Sequence, residues 1–201
     1  MSIAEKSDCH VLVIGSGGAG IRAAVESVNF GDTIIISKTI TGKGGCTVMA
    51  EGGFNAVLND SDSKKTHFED TMKGGAYLND EALVETLVSE APDRIRDLFS
   101  WGAVFDMTCE NKIAQRPFGG QRFARTCYAG DHTGHEMVMT LLEKLRGSGV
   151  SIRDELTVVE LLKDGDKVCG AVTCDRDGNL EIVKADAVVL AAGGAGQIYD
   201  T

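Results

Sequence analysis

Three glycines, Gly15, Gly17 and Gly20, follow the apolar run VLVI at residues 11–14 and lead at once into the helix-forming stretch IRAAVESV. A G-x-G-x-x-G spacing between strand and helix suits the pyrophosphate of a dinucleotide. Gly15 permits the sharp turn, Gly17 leaves the backbone open to the phosphates, and Gly20 lets the new helix lie close on the sheet. The free N–H groups at the start of that helix together carry about half a positive charge, so the turn needs no Lys or Arg to favour an anion. A plain tight turn is the other reading of the same residues. The segment TGKGGCTVMAEGGF, residues 41–54, is too rich in glycine for a helix or strand and too apolar for a disordered linker. It reads as a loop whose backbone N–H groups line a flat ligand, with a mobile surface loop as the alternative.

These residues must be held by a strand before and after the turn. The second strand, TIIIS from Thr33 to Ser37, also bears on which dinucleotide is held. An NAD domain places Asp or Glu about 20 residues beyond the glycines to hold the ribose, and this chain has Ser37 and Lys38 there. A simple NAD domain is therefore disfavoured. Helical spacing marks residues 80–99, with Leu83, Leu87, Ile95, Leu98 and Phe99 as the apolar stripe, Asp80 as the cap and Pro92 as a point where the helix could divide. A second helix is predicted from Thr133 to Arg146, with Met137, Leu141, Leu142 and Leu145 inward and Gly147 as its stop. LTVVELLKD, KVCGAVTCD and LEIVKA, joined by the turns DGD and RDGN, predict an antiparallel meander. A separate buried strand, Ala187 to Ala191, then ends in a second glycine turn at Gly193, Gly194 and Gly196. The fold class is thus α/β.

With 43% hydrophobic residues the chain is globular, and no run reaches the ~18 apolar residues of a membrane span. A net charge of −10 argues against nucleic acid and against direct adhesion to anionic lipid. Because the charged AEKSD stretch leads straight into the predicted first strand, no signal peptide is expected. The six cysteines form no C-x-x-C pair and have no His at metal-ligand spacing. Free thiols, no metal and a reducing cytoplasm follow.

QRPFGGQRFARTCYAGDHTGHE (Gln115 to Glu136), GCTVMAEGGFNAVL after the fingerprint and AAGGAGQIY near the end together resemble the flavoprotein subunit of the succinate dehydrogenase and fumarate reductase family. The resemblance runs from Cys9 to Thr201. It implies a Rossmann-like FAD-binding domain of the glutathione-reductase type, in which the meander leads into the return strand and the two glycine turns lie together. Three segments are expected: residues 1–60 as dinucleotide fold and FAD loop, 61–149 as a helical region with QRPFGG, and 150–201 as meander and return strand. The resemblance assigns FAD to Gly15, Ser16, Gly17, Gly18, Ala19 and Gly20, and to Ser37, Lys38 and Thr39. It adds Gly44, Gly45, Cys46, Thr47, Ala50, Glu51, Gly52 and Gly53 in the loop, then Val158, Ala192, Gly193 and Gly194. Phe118, Gly52 and Gly53 are implied on the substrate side, Phe118 against the carbon frame of a dicarboxylate and the Gly53 N–H on a carboxylate. Ordinary core packing is the alternative for Phe118.

Many family members bind FAD covalently through a His in this loop, but Cys46 stands at that position and no His occurs between His10 and His67. The expectation is tightly held, non-covalent FAD, which favours fumarate reduction over succinate oxidation; a thioether through Cys46 is the chemical alternative. Family members carry their remaining substrate groups on a capping domain that follows, so the chain resembles an N-terminal portion of a longer flavoprotein, with no catalytic residue assigned within it. Arg116 and Arg125 are expected in structural ion pairs. His132 and His135 are expected to be structural, with Asp131 or Thr133 capping the helix they enter. The implied function is interconversion of fumarate and succinate, with electrons from an iron–sulfur partner and membrane association only through partner subunits. L-aspartate oxidase is the second reading, although EGGHS would then be expected in place of QRPFGG. A bare FAD-binding module or electron carrier is the third.

Overall fold

In the computed structural model, which describes residues 3–196 and 198, strand β1 (Ile3–Ile14) takes in the charged AEKSD stretch as well as the apolar run. It turns at Gly15 into helix α1 (Gly18–Ser27), which packs on β1 and on β2 (Thr33–Ile36). All four residues of β2 are buried, as in a parallel strand covered on both faces. Leu12, Ile14, Ile34 and Ile36 alternate onto one face and join Ala171, Val183 and Ala185 in a single apolar cluster. Val13 and Ile35 turn to the other face and are fully buried as well.

The sheet is completed by β6 (Ser151–Arg153), β7 (Thr157–Asp164), β8 (Lys167–Cys174) and β9 (Leu180–Leu190), in the order β6-β2-β1-β9-β8-β7. β6, β2, β1 and β9 run parallel, and β9, β8 and β7 form the antiparallel meander. Two strands expected separately are one: the last meander strand and the return strand are both β9, in register with β1 from Glu5 opposite Glu181 to Ile14 opposite Leu190. No glycine, proline or asparagine interrupts residues 180–190, so nothing stops the ladder. The return portion is also less buried than expected. Ala187 and Leu190 are exposed, because β8 covers β9 only as far as Lys184. Gln197, Tyr199 and the residues after it in the AAGGAGQIY region lie outside the described residues.

The chain divides into two units, Met1–Val48 with Leu141–Thr201, and Met49–Thr140. The second holds α2 (Lys64–Gly74), α3 (Glu81–Ser100) and a small sheet of β3 (Phe54–Asn55), β5 (Thr126–Cys127) and β4 (Gln115–Arg116), in that spatial order. Asp80 caps α3 by accepting the Leu83 N–H at 3.0 Å. Pro92 does not divide this helix. It lies on the buried stripe Val84, Val88, Pro92, Ile95 and Leu98, while Leu83, Leu87 and Phe99 are exposed. The stripe is turned by about one residue from the expected one, because Met72 and Phe68 of α2 pack on Val84 and Val88. Helix α4 (Thr133–Arg146) has the predicted bounds, with Val138 buried beside Leu141, Leu142 and Leu145 and with Met137 only half-buried.

Candidate functional site

In the first unit the three fingerprint glycines divide by what a side chain would meet. A Cβ on Gly20 would overlap the Gly15 carbonyl, and one on Gly15, whose φ is +104°, would overlap the Ala191 carbonyl. Both glycines are demanded by the protein's own packing. Gly17 has an ordinary φ of −74°, and its nearest neighbour would be Thr47 Oγ1 at 3.4 Å. Its bareness is required by no neighbouring protein atom. The same close approach joins the two glycine turns, with the Ala191 N–H donating to Ile14 O at 2.8 Å. Ala192, Gly193 and Gly194 follow, exposed, with nothing within 4 Å of either glycine's missing Cβ.

Gly17 caps α1 without a side-chain bond, and no acidic residue occupies the helix's first turn. The Gly18 N–H donates to Thr47 Oγ1 at 3.1 Å. Among the described residues no acceptor takes the Ala19 or Gly20 N–H, so the helix end keeps donors for an anion. Ser16 and Ser37 share a hydroxyl bond of 2.7 Å, and Ser37 Oγ accepts the Thr39 N–H. Lys38 is exposed beside them. The glycine loop is anchored at its start by Asp154, which accepts both the N–H and the hydroxyl of Thr41, at 2.9 and 2.6 Å. Gly44 packs on Thr39, whereas Gly45, with φ +89°, has open space where its Cβ would be. Cys46 next to it is a free, exposed thiol. Val158 packs on the apolar cluster that holds Ile14 and Ile36, two residues after Leu156, whose N–H donates to Ser37 O at 3.0 Å.

The residues therefore fit a dinucleotide with two flat ends. A bare glycine backbone, unsatisfied helix N–H groups, hydroxyls in place of an acidic ribose ligand and an open glycine loop all border the C-terminal ends of parallel strands, where such ligands bind in α/β sheets.

In the second unit Phe118 lies against Gly52, where a Cβ would come 3.1 Å from its ring, yet the residue is 54% exposed. The ring is thus not part of this unit's core. Gly53, at φ +120°, sits so close to β5 that a side chain would overlap the Cys127 carbonyl. Arg116 forms no ion pair among the described residues, contrary to expectation. Its Nη2 donates to Gly52 O at 2.8 Å and Glu51 O at 3.4 Å, and its guanidinium lies 4.3 Å from the Tyr128 ring centre. Carbonyls and an aromatic face take the place of a carboxylate. Thr133 does not cap α4 with its side chain either: its hydroxyl accepts the Ala129 N–H at 3.1 Å and donates to Glu51 O at 3.4 Å. Asp131 Oδ1 faces His132 Nδ1 at 3.4 Å, with both side chains exposed.

Arg125 meets its expectation more fully. It is 1% exposed, with bonds of 2.7 and 3.0 Å to the two oxygens of Asp62 and 2.8 Å to Asp70. Asp70 also accepts the backbone N–H and the Nε of Arg122, at 3.1 and 2.6 Å. Burial alone would raise the Asp70 carboxyl, but the bonds from Arg122 and Arg125 hold it below the usual carboxylate range. His67, 2% exposed, is held below the usual imidazole range by burial and then by the Arg125 charge. Burial pushes the Cys127 thiol up to about 11, so it is inert. Asp62, Asp70 and Arg122 carried no sequence signal, because their partners are far along the chain. Among the described residues no group of His, Cys, Asp or Glu is placed to hold a metal, and no helix is long and apolar enough to cross a membrane.

The sequence model of a family described as FAD binding domain matches residues 10–201. The chain is 48% identical over 200 residues to a Methanothermobacter marburgensis subunit of the CoM/CoB fumarate reductase, covering 97% of this chain and 37% of that protein. It is 40% identical over 195 residues to the fumarate reductase flavoprotein subunit of Mycobacterium tuberculosis, covering 94% of this chain and 33% of that one. The fold superposes on an Escherichia coli quinol fumarate reductase chain with a TM-score of 0.93 at 34% identity, over 98% of this chain and 34% of that one. The chain thus spans about a third of the length of the curated relatives it matches.

Proposed function

We propose, from the premise that this chain belongs to the FAD binding domain family, that the whole protein is an FAD-dependent oxidoreductase acting on a C4 dicarboxylate, in the direction of fumarate reduction. FAD is the group this domain holds; when bound, it supplies the site of hydride transfer to the substrate. The Gly17 backbone and the N-terminus of α1 receive the pyrophosphate. Ser37, Lys38 and Thr39 border the adenosine side, and the loop Gly44–Thr47 borders the ring side. Gly193 and Gly194 enclose the cofactor from the second turn. Phe118 meets the substrate's carbon frame, and the Gly53 N–H meets a carboxylate. Electrons come from an iron–sulfur subunit, through which any membrane association arises. The Phe118 ring, laid on Gly52 and left uncovered by the rest of its own unit, supports the substrate reading.

In the full-length protein, Phe118→Ala is expected to weaken dicarboxylate binding and slow fumarate reduction by about tenfold, the scale of one lost aromatic contact, with flavin content unchanged. Loss of flavin or of folding in that variant would return Phe118 to a structural role. L-aspartate as the better substrate, with oxygen as acceptor, would replace the proposed activity.

Non-covalent attachment has its own test. Acid denaturation of the full-length protein is expected to release all its flavin into the supernatant. Flavin retained on the polypeptide, and lost in Cys46→Ser, would establish a thioether instead.

A further inference from the structure

Three consecutive carbonyls beside Phe118 are each taken by a donor. The Gly134 N–H bonds Ala50 O at 2.7 Å, Thr133 and Arg116 reach Glu51 O, and Arg116 holds Gly52 O. In a planar trans peptide the N–H points away from the C=O of the same unit. The N–H groups of Glu51, Gly52 and Gly53 therefore lie on the sides turned from these donors, and no hydrogen bond among the described residues uses them. Successive backbone N–H groups left unpaired in this way are available as donors to an anion.

Arg116 adds charge to that arrangement. It has no carboxylate partner among the described residues, and its Nε is buried without an acceptor. Its two backbone bonds and the Tyr128 face fix its position while leaving the positive charge uncompensated. Arg125, by contrast, is neutralised by Asp62 and Asp70.

We propose that Arg116 is a positioning residue for the anionic substrate: it orients the Glu51–Gly53 peptides so that their N–H groups receive a carboxylate, and its unpaired charge favours a dianion. This rests on the dicarboxylate reading above. A lysine cannot replace it, because an ammonium lacks the planar fork that spans two carbonyls while stacked on a ring.

The test uses full-length flavoprotein and malonate, a non-reacting dicarboxylate, with acetate as the monoanion. Arg116→Met is expected to retain flavin, to bind malonate at least about tenfold more weakly, the effect of losing hydrogen bonds to a charged group, and to bind acetate with a smaller loss. Arg116→Lys is expected to restore less than half of the lost affinity on a logarithmic scale, and it decides the question if the Met variant does not fold. Malonate binding by Arg116→Lys equal to wild type, or by a folded Arg116→Met equal to wild type, overturns the proposal. Wild-type protein that binds no malonate would instead overturn the dicarboxylate reading itself.

Discussion

Gly17→Val in the full-length protein is expected to give a folded polypeptide that holds no flavin. The glycine has a backbone conformation open to any residue, and its nearest neighbour stands at ordinary contact distance, so a side chain there meets little protein. What it meets is the approach to α1, where the pyrophosphate must come within hydrogen-bond distance of the backbone. Loss of the glycine cap costs the helix at most about 1 kcal/mol, too little to unfold the sheet. Gly20→Val is the control: its side chain would strike the Gly15 carbonyl, so that variant is expected to lose the fold and the flavin together. Absorbance of the purified protein near the flavin bands, read beside its circular dichroism, separates the two results. A Gly17→Val protein that is yellow with full flavin content would mean that the turn is only structural.

Arg125→Met is expected to destabilise the second unit by about 3–5 kcal/mol, the usual cost of leaving one partner of a buried ion pair alone. Asp62, 2% exposed at its side chain, would lose the guanidinium that takes both its oxygens. Hydrogen exchange in α2 and in residues 115–127 would report the loosening, and unchanged protection in those segments would show that the pair contributes nothing. The same cluster gives a direction for pH. Asp70 and His67 are both held below their ordinary values, so the unfolded chain binds more protons than the folded one on the acid side. Stability is expected to be full above about pH 6.5, the unfolded imidazole value. It should fall as acid first demands a charge on buried His67 and then neutralises Asp70. A melting temperature of the second unit that is flat or rising from pH 7 to pH 4 would contradict this.

Much of the cofactor side was legible because its rules are local. A glycine at positive φ, a G-x-G-x-x-G turn between an apolar strand and a helix, an Asp80 side chain reaching the Leu83 N–H, and the stop of α4 at Gly147 are each fixed by atoms within a few residues. The motif resemblance pointed to a substrate side at Phe118, but left open whether its ring packed within this unit or lay on its surface.

Tertiary structure decided what depended on where the chain returned. Arg125 finds Asp62 across 63 residues and Arg116 finds Gly52 across 64, so two arginines of like appearance in one motif have opposite surroundings, one neutralised and one not. The face that α3 buries was set by α2 packing against it, because helical spacing gives a stripe and not its neighbour. The fusion of two expected strands into β9 followed from a partner, β1, long enough to pair its whole length. The short strand β6 exists only because β2 offers it an edge, since three residues have too few contacts to announce a strand in sequence. Residue types thus determined which groups are present and how each turn must bend. Long-range packing determined which charges are cancelled, which ring stays exposed, and which backbone donors are left open to a ligand.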